Sequence, residues 1–207
     1  MKYNQQLTQL VISNIENHER AKLVLDEVNQ VLLARIAKEV QASLSTLPHT
    51  LDEESHFKFY DEGYIDFGFA SWLEEEQRLG YFSIEASETA DEADHEWLTH
   101  VCGLVDSSNC LLLRFYPHYR TLGLKAVVFK SRFKEAFLHS QLPEQGYKLS
   151  ADGYAIEYPF KLNHQDILQG YPHDLEQAMV PVTNTMLAFE HALPEFEKVL
   201  ATLKEKA

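Results

Sequence analysis

At 207 residues the chain is long enough for one sizeable core, and 45% hydrophobic with 24% charged residues is globular rather than disordered composition. No apolar run approaches the roughly 18 residues that a membrane span needs, the densest being residues 110–113. The net charge of −14 is uneven: residues 1–51 balance, residues 52–96 hold fifteen Asp/Glu against Lys58 and Arg78, and residues 114–134 hold six basic residues and no acidic one. A uniformly acidic surface would exclude nucleic acid, but a local basic block readmits it.

Residues 1–46 read as helix. Ala21, Leu25, Val28, Leu32, Ile36 and Val40 recur at three- and four-residue steps, and no Gly or Pro precedes Pro48. One long helix or two end to end would satisfy this pattern. The stripe is broad and irregular, which suits core packing better than a coiled-coil seam.

Residues 56–160 form the expected sheet region. Phe57 and Phe59 alternate, as do Ile65, Phe67 and Phe69, then Phe82, Ile84 and Ala86. Asp61-Glu62-Gly63 suits a three-residue hairpin loop with Gly at the position needing positive φ. A second turn about Glu75-Glu76 predicts Phe69 opposite Phe82 and Phe67 opposite Ile84. Thr89 with Glu92 makes a capping box for a helix whose apolar face is Ala93, Trp97, Val101 and Leu104. Residues 109–116 read as a buried strand and residues 131–139 as a helix, while residues 147–149 and 154–160 read as a second hairpin around Asp152-Gly153. Residues 163–206 are helical, opened by Asn163 with Asp166. Breaks are expected near Pro181 and Pro194, since Pro suits a first helical turn. The predicted fold is α+β: a mainly antiparallel sheet with the long N- and C-terminal helices packed on it, forming one domain over 1–207.

Cys102 and Cys110 lie in no CxxC pair and near no regular His spacing, so both read as reduced structural thiols and zinc is not expected. The apolar stretch at 7–15 is broken by Thr8, Gln9, Ser13 and Asn14, so no secretory leader is expected. Together these place the protein in the cytoplasm.

The inferred register puts Lys58 opposite Asp66 and Asp66 opposite Glu85, with Arg114 sharing that sheet face. Facing carboxylates repel unless a cation lies near. Lys58 and Arg114 fit that need as a solvated ion ladder, and so does a divalent metal on hard oxygen ligands. The order helix, three meandering strands, helix, strand over residues 20–118 resembles the αβββαβ core of the PD-(D/E)XK nuclease-like superfamily, with Asp66 on the second strand and Glu85 on the third. The resemblance implies a Mg²⁺- or Mn²⁺-dependent phosphodiesterase scaffold in which Asp66 and Glu85 hold metal. Glu85-Ala86-Ser87 has Ser where the family's catalytic Lys stands, and no Pro precedes Asp66, so Lys58 would have to substitute.

The basic block is Arg114, Arg120, Lys125, Lys130, Arg132 and Lys134, interleaved with Phe115, Tyr116, Tyr119, Phe129 and Phe133. Cations for phosphates and rings for bases suit anion or nucleic-acid binding, and the same alternation suits a core with its charges outward. Asp91 with His95, and Glu96 with His100, are helical i,i+4 pairs that read as a solvated face. No nucleophile elbow, P-loop or GxGxxG is present. The leading expectation is a non-catalytic, cofactor-free binding or regulatory protein that meets a protein partner or another copy of itself. The alternative is the metal-dependent phosphodiesterase, active or degenerate.

Overall fold

The computed structural model describes residues 5–58, 63–87, 97–104 and 106–205. Two helices, α1 (Gln5–Ser13) and α2 (Ile15–Leu44), run end to end across Asn14. There the backbone leaves helical geometry and the Asn14 amide donates to the Leu10 carbonyl at 2.9 Å. The predicted stripe is used in part. Leu32, Ile36 and Val40 are fully buried, whereas Leu23 and Val24 stay exposed on the first half of α2.

The strands are β1 (Tyr64–Phe67), β2 (Leu73–Glu74), β3 (Gln77–Arg78), β4 (Gly80–Ala86), β5 (Leu111–Pro117), β6 (Lys148–Leu149) and β7 (Ile156–Phe160). Five of them form an antiparallel sheet in the order β1-β4-β5-β7-β6, and β2 and β3 form a separate small hairpin. That hairpin turns at Glu75-Glu76, both at positive φ, and pairs Glu74 with Gln77. The turn is therefore where the sequence places it, but the register beyond it differs. Phe67 pairs with Phe82, Ile65 with Ile84, and Asp66 with Ser83 rather than Glu85. A 3-10 turn over Ala70–Trp72 takes up two extra residues between β1 and β2. A slip of two keeps every side chain on its own face, so the aromatic set remains in the core while the polar partners change. His56, not Lys58, bridges to Asp66. Residues 59–62, with most of the predicted first loop, lie outside the described residues.

The remaining helices are α3 (Trp97–Val101), α4 (Ala126–His139), α5 (His164–Gly170) and α6 (Glu176–Glu205). The Thr89/Glu92 capping box, Ala93, Asp91, His95 and Glu96 fall outside the described residues. Val101 is buried, but Leu104 is exposed because α3 stops at Val101 and Gly103 turns the chain at φ +62°. Helix α4 begins at Ala126, earlier than the sequence pattern implies. Asn163 caps α5 by accepting from the Gln165 amide at 2.9 Å.

The expected breaks at Pro181 and Pro194 do not occur, since both lie inside a continuous α6. An interior Pro costs about 3 kcal/mol through its lost hydrogen bond and its clash with the preceding turn. Burial outweighs that cost: Val182, Met186, Phe189, Phe196, Val199 and Leu203 bury their side chains along the helix. Phe189 stands on Phe82 at 4.7 Å between ring centroids, and Phe196 stands on Phe82 at 5.0 Å and on Phe115 at 5.1 Å. Phe133 of α4 approaches Phe115 from the same side, and α2 packs against α6. The helical layer therefore covers one face of the sheet, and the other face carries the polar residues.

Candidate binding face of the sheet

The strand registers align one residue from each strand into a row across the open face: Asp66, Ser83, Arg114, Glu157 and Lys148, extended at one edge by His56. Alternation along each strand puts these side chains opposite the Phe and Ile residues of the core. Two guanidinium clamps organise the row.

The first clamp is at Arg78, which is only 6% exposed. Its Nε and Nη2 donate to Asp52 Oδ2 and Oδ1 at 2.7 and 2.5 Å, and its Nη1 donates to both Asp66 oxygens at 2.9 and 3.1 Å. Glu54 adds an outer contact at 3.2 Å. Burial pushes the Asp52 carboxyl upward, but hydrogen bonds from Arg78 and Ser55 outweigh it and hold the pKa below the ordinary value. Gly68 lies beside this pair, and a Cβ there would overlap the Asp52 carboxylate. Only Gly lets the backbone come so close.

Arg114 makes the second clamp. Its Nε donates to Glu157 Oε1 at 2.9 Å, its Nη2 forms an ion pair with the same oxygen at 2.9 Å, and its Nη1 donates to Glu85 Oε1 at 2.5 Å. The Tyr116 hydroxyl also donates to Glu85 Oε1, at 2.8 Å. Burial first, then the Glu85 carboxylate, pushes the Tyr116 phenol well above its usual value, so it remains a donor at neutral pH. Asp66 and Glu85 thus face different guanidinium groups, and Glu85 pairs across the strand with Tyr64. Two carboxylates already engaged by separate cations are a poor donor set for Mg²⁺ or Mn²⁺, so these residues do not fit a shared metal site. Among the described residues no group of three or more His, Cys, Asp or Glu could hold a metal ion.

Beside the Arg114 clamp lies a cleft of about 490 Å³. Leu112, Cys110 and Pro159 give it apolar walls, while Ser87, Ser108, Ser150 and Lys148 supply polar groups. Ser87 Oγ accepts from the Cys110 amide and lies 3.1 Å from His100 Nε2, which ties α3 to the end of β4. A second cleft, of about 410 Å³, opens on the other side of Tyr116 and is walled by Tyr81, Tyr119 and Tyr154.

The basic block divides among several environments. Arg114 is held in its clamp, and Arg120 is exposed beside Tyr119. Lys125 is exposed at the start of α4, and Lys134 is exposed one turn beyond Lys130. Lys130 places its ammonium 4.0 Å from the centre of the Tyr154 ring. Arg132 is half-buried, with Nη1 lacking a hydrogen-bond partner. Lys58, expected beside Asp66, is exposed.

Sequence reasoning missed Arg78, Asp52, Ser83 and Glu157. Arg78 had a signal, being one of two cations in a stretch of fifteen acids. Glu157 had one too, as the polar position between Ile156 and Tyr158. The chain matches no family model, no curated protein and no solved structure. Among the described residues no helix is long and apolar enough to cross a membrane.

Proposed function

We propose that this chain is a non-catalytic binding or regulatory protein whose ligand seats on the open face of the sheet, in the clefts that flank Tyr116. The observation that carries this reading is the engagement of Arg114 by two carboxylates. Its guanidinium is spent on Glu85 and Glu157, so it braces the walls rather than offering a reactive group. Around it lie hydroxyls, one lysine, the Asp152 carboxylate and apolar walls. Both clefts fall within the roughly 300–1,000 Å³ typical of small-molecule sites. The free thiols Cys102 and Cys110 suit action in the reducing cytosol.

A thermal-shift panel of nucleotides, amino acids and sugar phosphates tests the reading. At least one compound should raise the melting temperature, as any ligand of the native state must. The shift should disappear when the clefts are altered together, by Ala151→Trp at one rim and Arg120→Glu at the other, both at exposed positions. A panel without any shift, or a shift that survives the double variant, would refute a binding site on this face.

A further inference from the structure

The cleft beside Tyr116 has two aromatic walls. Tyr81 and Tyr116, cross-strand partners on β4 and β5, stack at 5.3 Å between centroids with 21° between their planes. Tyr119 and Tyr154 form the other pair, at 5.9 Å and 36°. Tyrosine walls can receive a flat ring by stacking, or a cation over their faces. The protein's own cations decide between the two. The Arg120 guanidinium lies 5.7 Å from the Tyr119 centroid, and the Lys130 ammonium lies 4.0 Å from the Tyr154 centroid. A cationic ligand would meet like charge on both rings of that wall. An anionic group carried on a flat ring would meet complementary charge at Arg120, which is exposed at the cleft.

His118 adds no charge at neutral pH. Burial holds its imidazole below the ordinary value, and the Arg78 charge adds to the effect against a backbone hydrogen bond and the more distant Glu54 and Asp66 carboxylates. It stands edge-on to Tyr81 at 5.2 Å and closes that wall. The Asp66 and Glu85 charges also act on Tyr81, and the whole chain carries −14. A long polyanion is therefore disfavoured, whereas one base with one phosphate group fits the cleft's size and its local cations.

We infer that the Tyr81/Tyr116/Tyr119/Tyr154 cleft binds a single nucleotide, its base against the Tyr116 and Tyr119 rings and its phosphate at Arg120. This rests on the reading of the open face as a ligand site and names the class of ligand. Calorimetric titration at about 25 mM and about 250 mM salt with AMP, GMP, CMP, adenosine, inorganic phosphate, choline and a short oligodeoxythymidylate tests it.

The mononucleotides should bind more tightly than adenosine or phosphate alone, and more weakly at the higher salt. Arg120→Glu should lower their affinity by roughly ten- to hundredfold, the range for losing a charged hydrogen bond. Tyr119→Leu, which keeps apolar bulk on the core, should lower it by about five- to hundredfold through lost stacking. Leu23→Gln, exposed on α2 and outside both clefts, should leave it unchanged. Nucleotides that fail to bind at about 1 mM, or that bind equally well to Arg120→Glu, would overturn the inference. So would choline binding, or an oligonucleotide binding far more tightly than a mononucleotide. A different compound whose binding is lost only in Ala151→Trp would overturn the nucleotide assignment while leaving the open face as a binding site; no ligand in any titration or panel would overturn both.

Discussion

Replacing Arg78 with Met removes four hydrogen bonds while keeping most of the aliphatic stem. The exposed Glu54 contact is worth less than about 1 kcal/mol, with the Glu54 side chain 69% accessible. The larger loss is at Asp52, whose side chain is only 1% accessible and keeps just the Ser55 hydroxyl as a side-chain donor. Breaking a buried ion pair from one side typically costs about 3–5 kcal/mol, because it leaves an uncompensated charge. Arg78→Met should therefore lose about 3–5 kcal/mol at pH 7, read from urea unfolding as a lower midpoint at unchanged slope. The pH dependence identifies the cause. In the native protein the Asp52 pKa lies below its unfolded value, so its contribution is fully present above about pH 4 and is lost as pH falls toward the native pKa. In Arg78→Met the lowering partner is gone and burial raises the same carboxyl. The variant then recovers stability on acidification while the native protein does not, and the gap between them should narrow from pH 7 to pH 4. Adding Asp52→Asn to the variant should restore at least about 1 kcal/mol at pH 7. A gap under about 1 kcal/mol, or one that is constant with pH, would refute the clamp as a stabilising buried pair.

Three further outcomes concern other parts of the molecule. Ser83 is buried with its hydroxyl unpaired, so Ser83→Ala should be neutral or stabilising by up to about 1 kcal/mol; a loss larger than that in chemical denaturation would show a missing partner. Burial pushes the Cys102 thiol up to about 11, leaving roughly one molecule in a thousand as thiolate at pH 8. Native Cys102 should therefore react with iodoacetamide far more slowly than a peptide thiol, and an equal rate would contradict this. With Asp66 and Glu85 on separate clamps, Mn²⁺ should not raise the melting temperature. A rise that Asp66→Asn abolishes would revive the phosphodiesterase alternative.

The sequence carried most of the architecture because burial follows period. The alternation of Ile65 and Phe67, and of Phe82 and Ile84, marks the core face of β1 and β4, and the Glu75-Glu76 turn falls where expected. Side-chain faces survive a two-residue register error, but cross-strand partners do not. The short turn at Ala70–Trp72 therefore left the core assignment intact and moved Asp66 from Glu85 to Ser83. Arg114 was rightly placed on the face of Glu85, because the two share an outward parity. Asp52 and Arg78 lie 26 residues apart and meet only through tertiary folding, which no local period encodes. Pro181 and Pro194 misled for the opposite reason: a strong local signal yielded to burial along α6.

Amide mapping by NMR tests most directly whether a nucleotide seats on the open sheet face. Titrating AMP into the ¹⁵N-labelled chain should shift the amides of Tyr81, Tyr116, Tyr119 and Tyr154, with those of α2 and α6 unmoved. Shifts confined to the helical layer, or no shifts at millimolar AMP, would contradict nucleotide binding on this face.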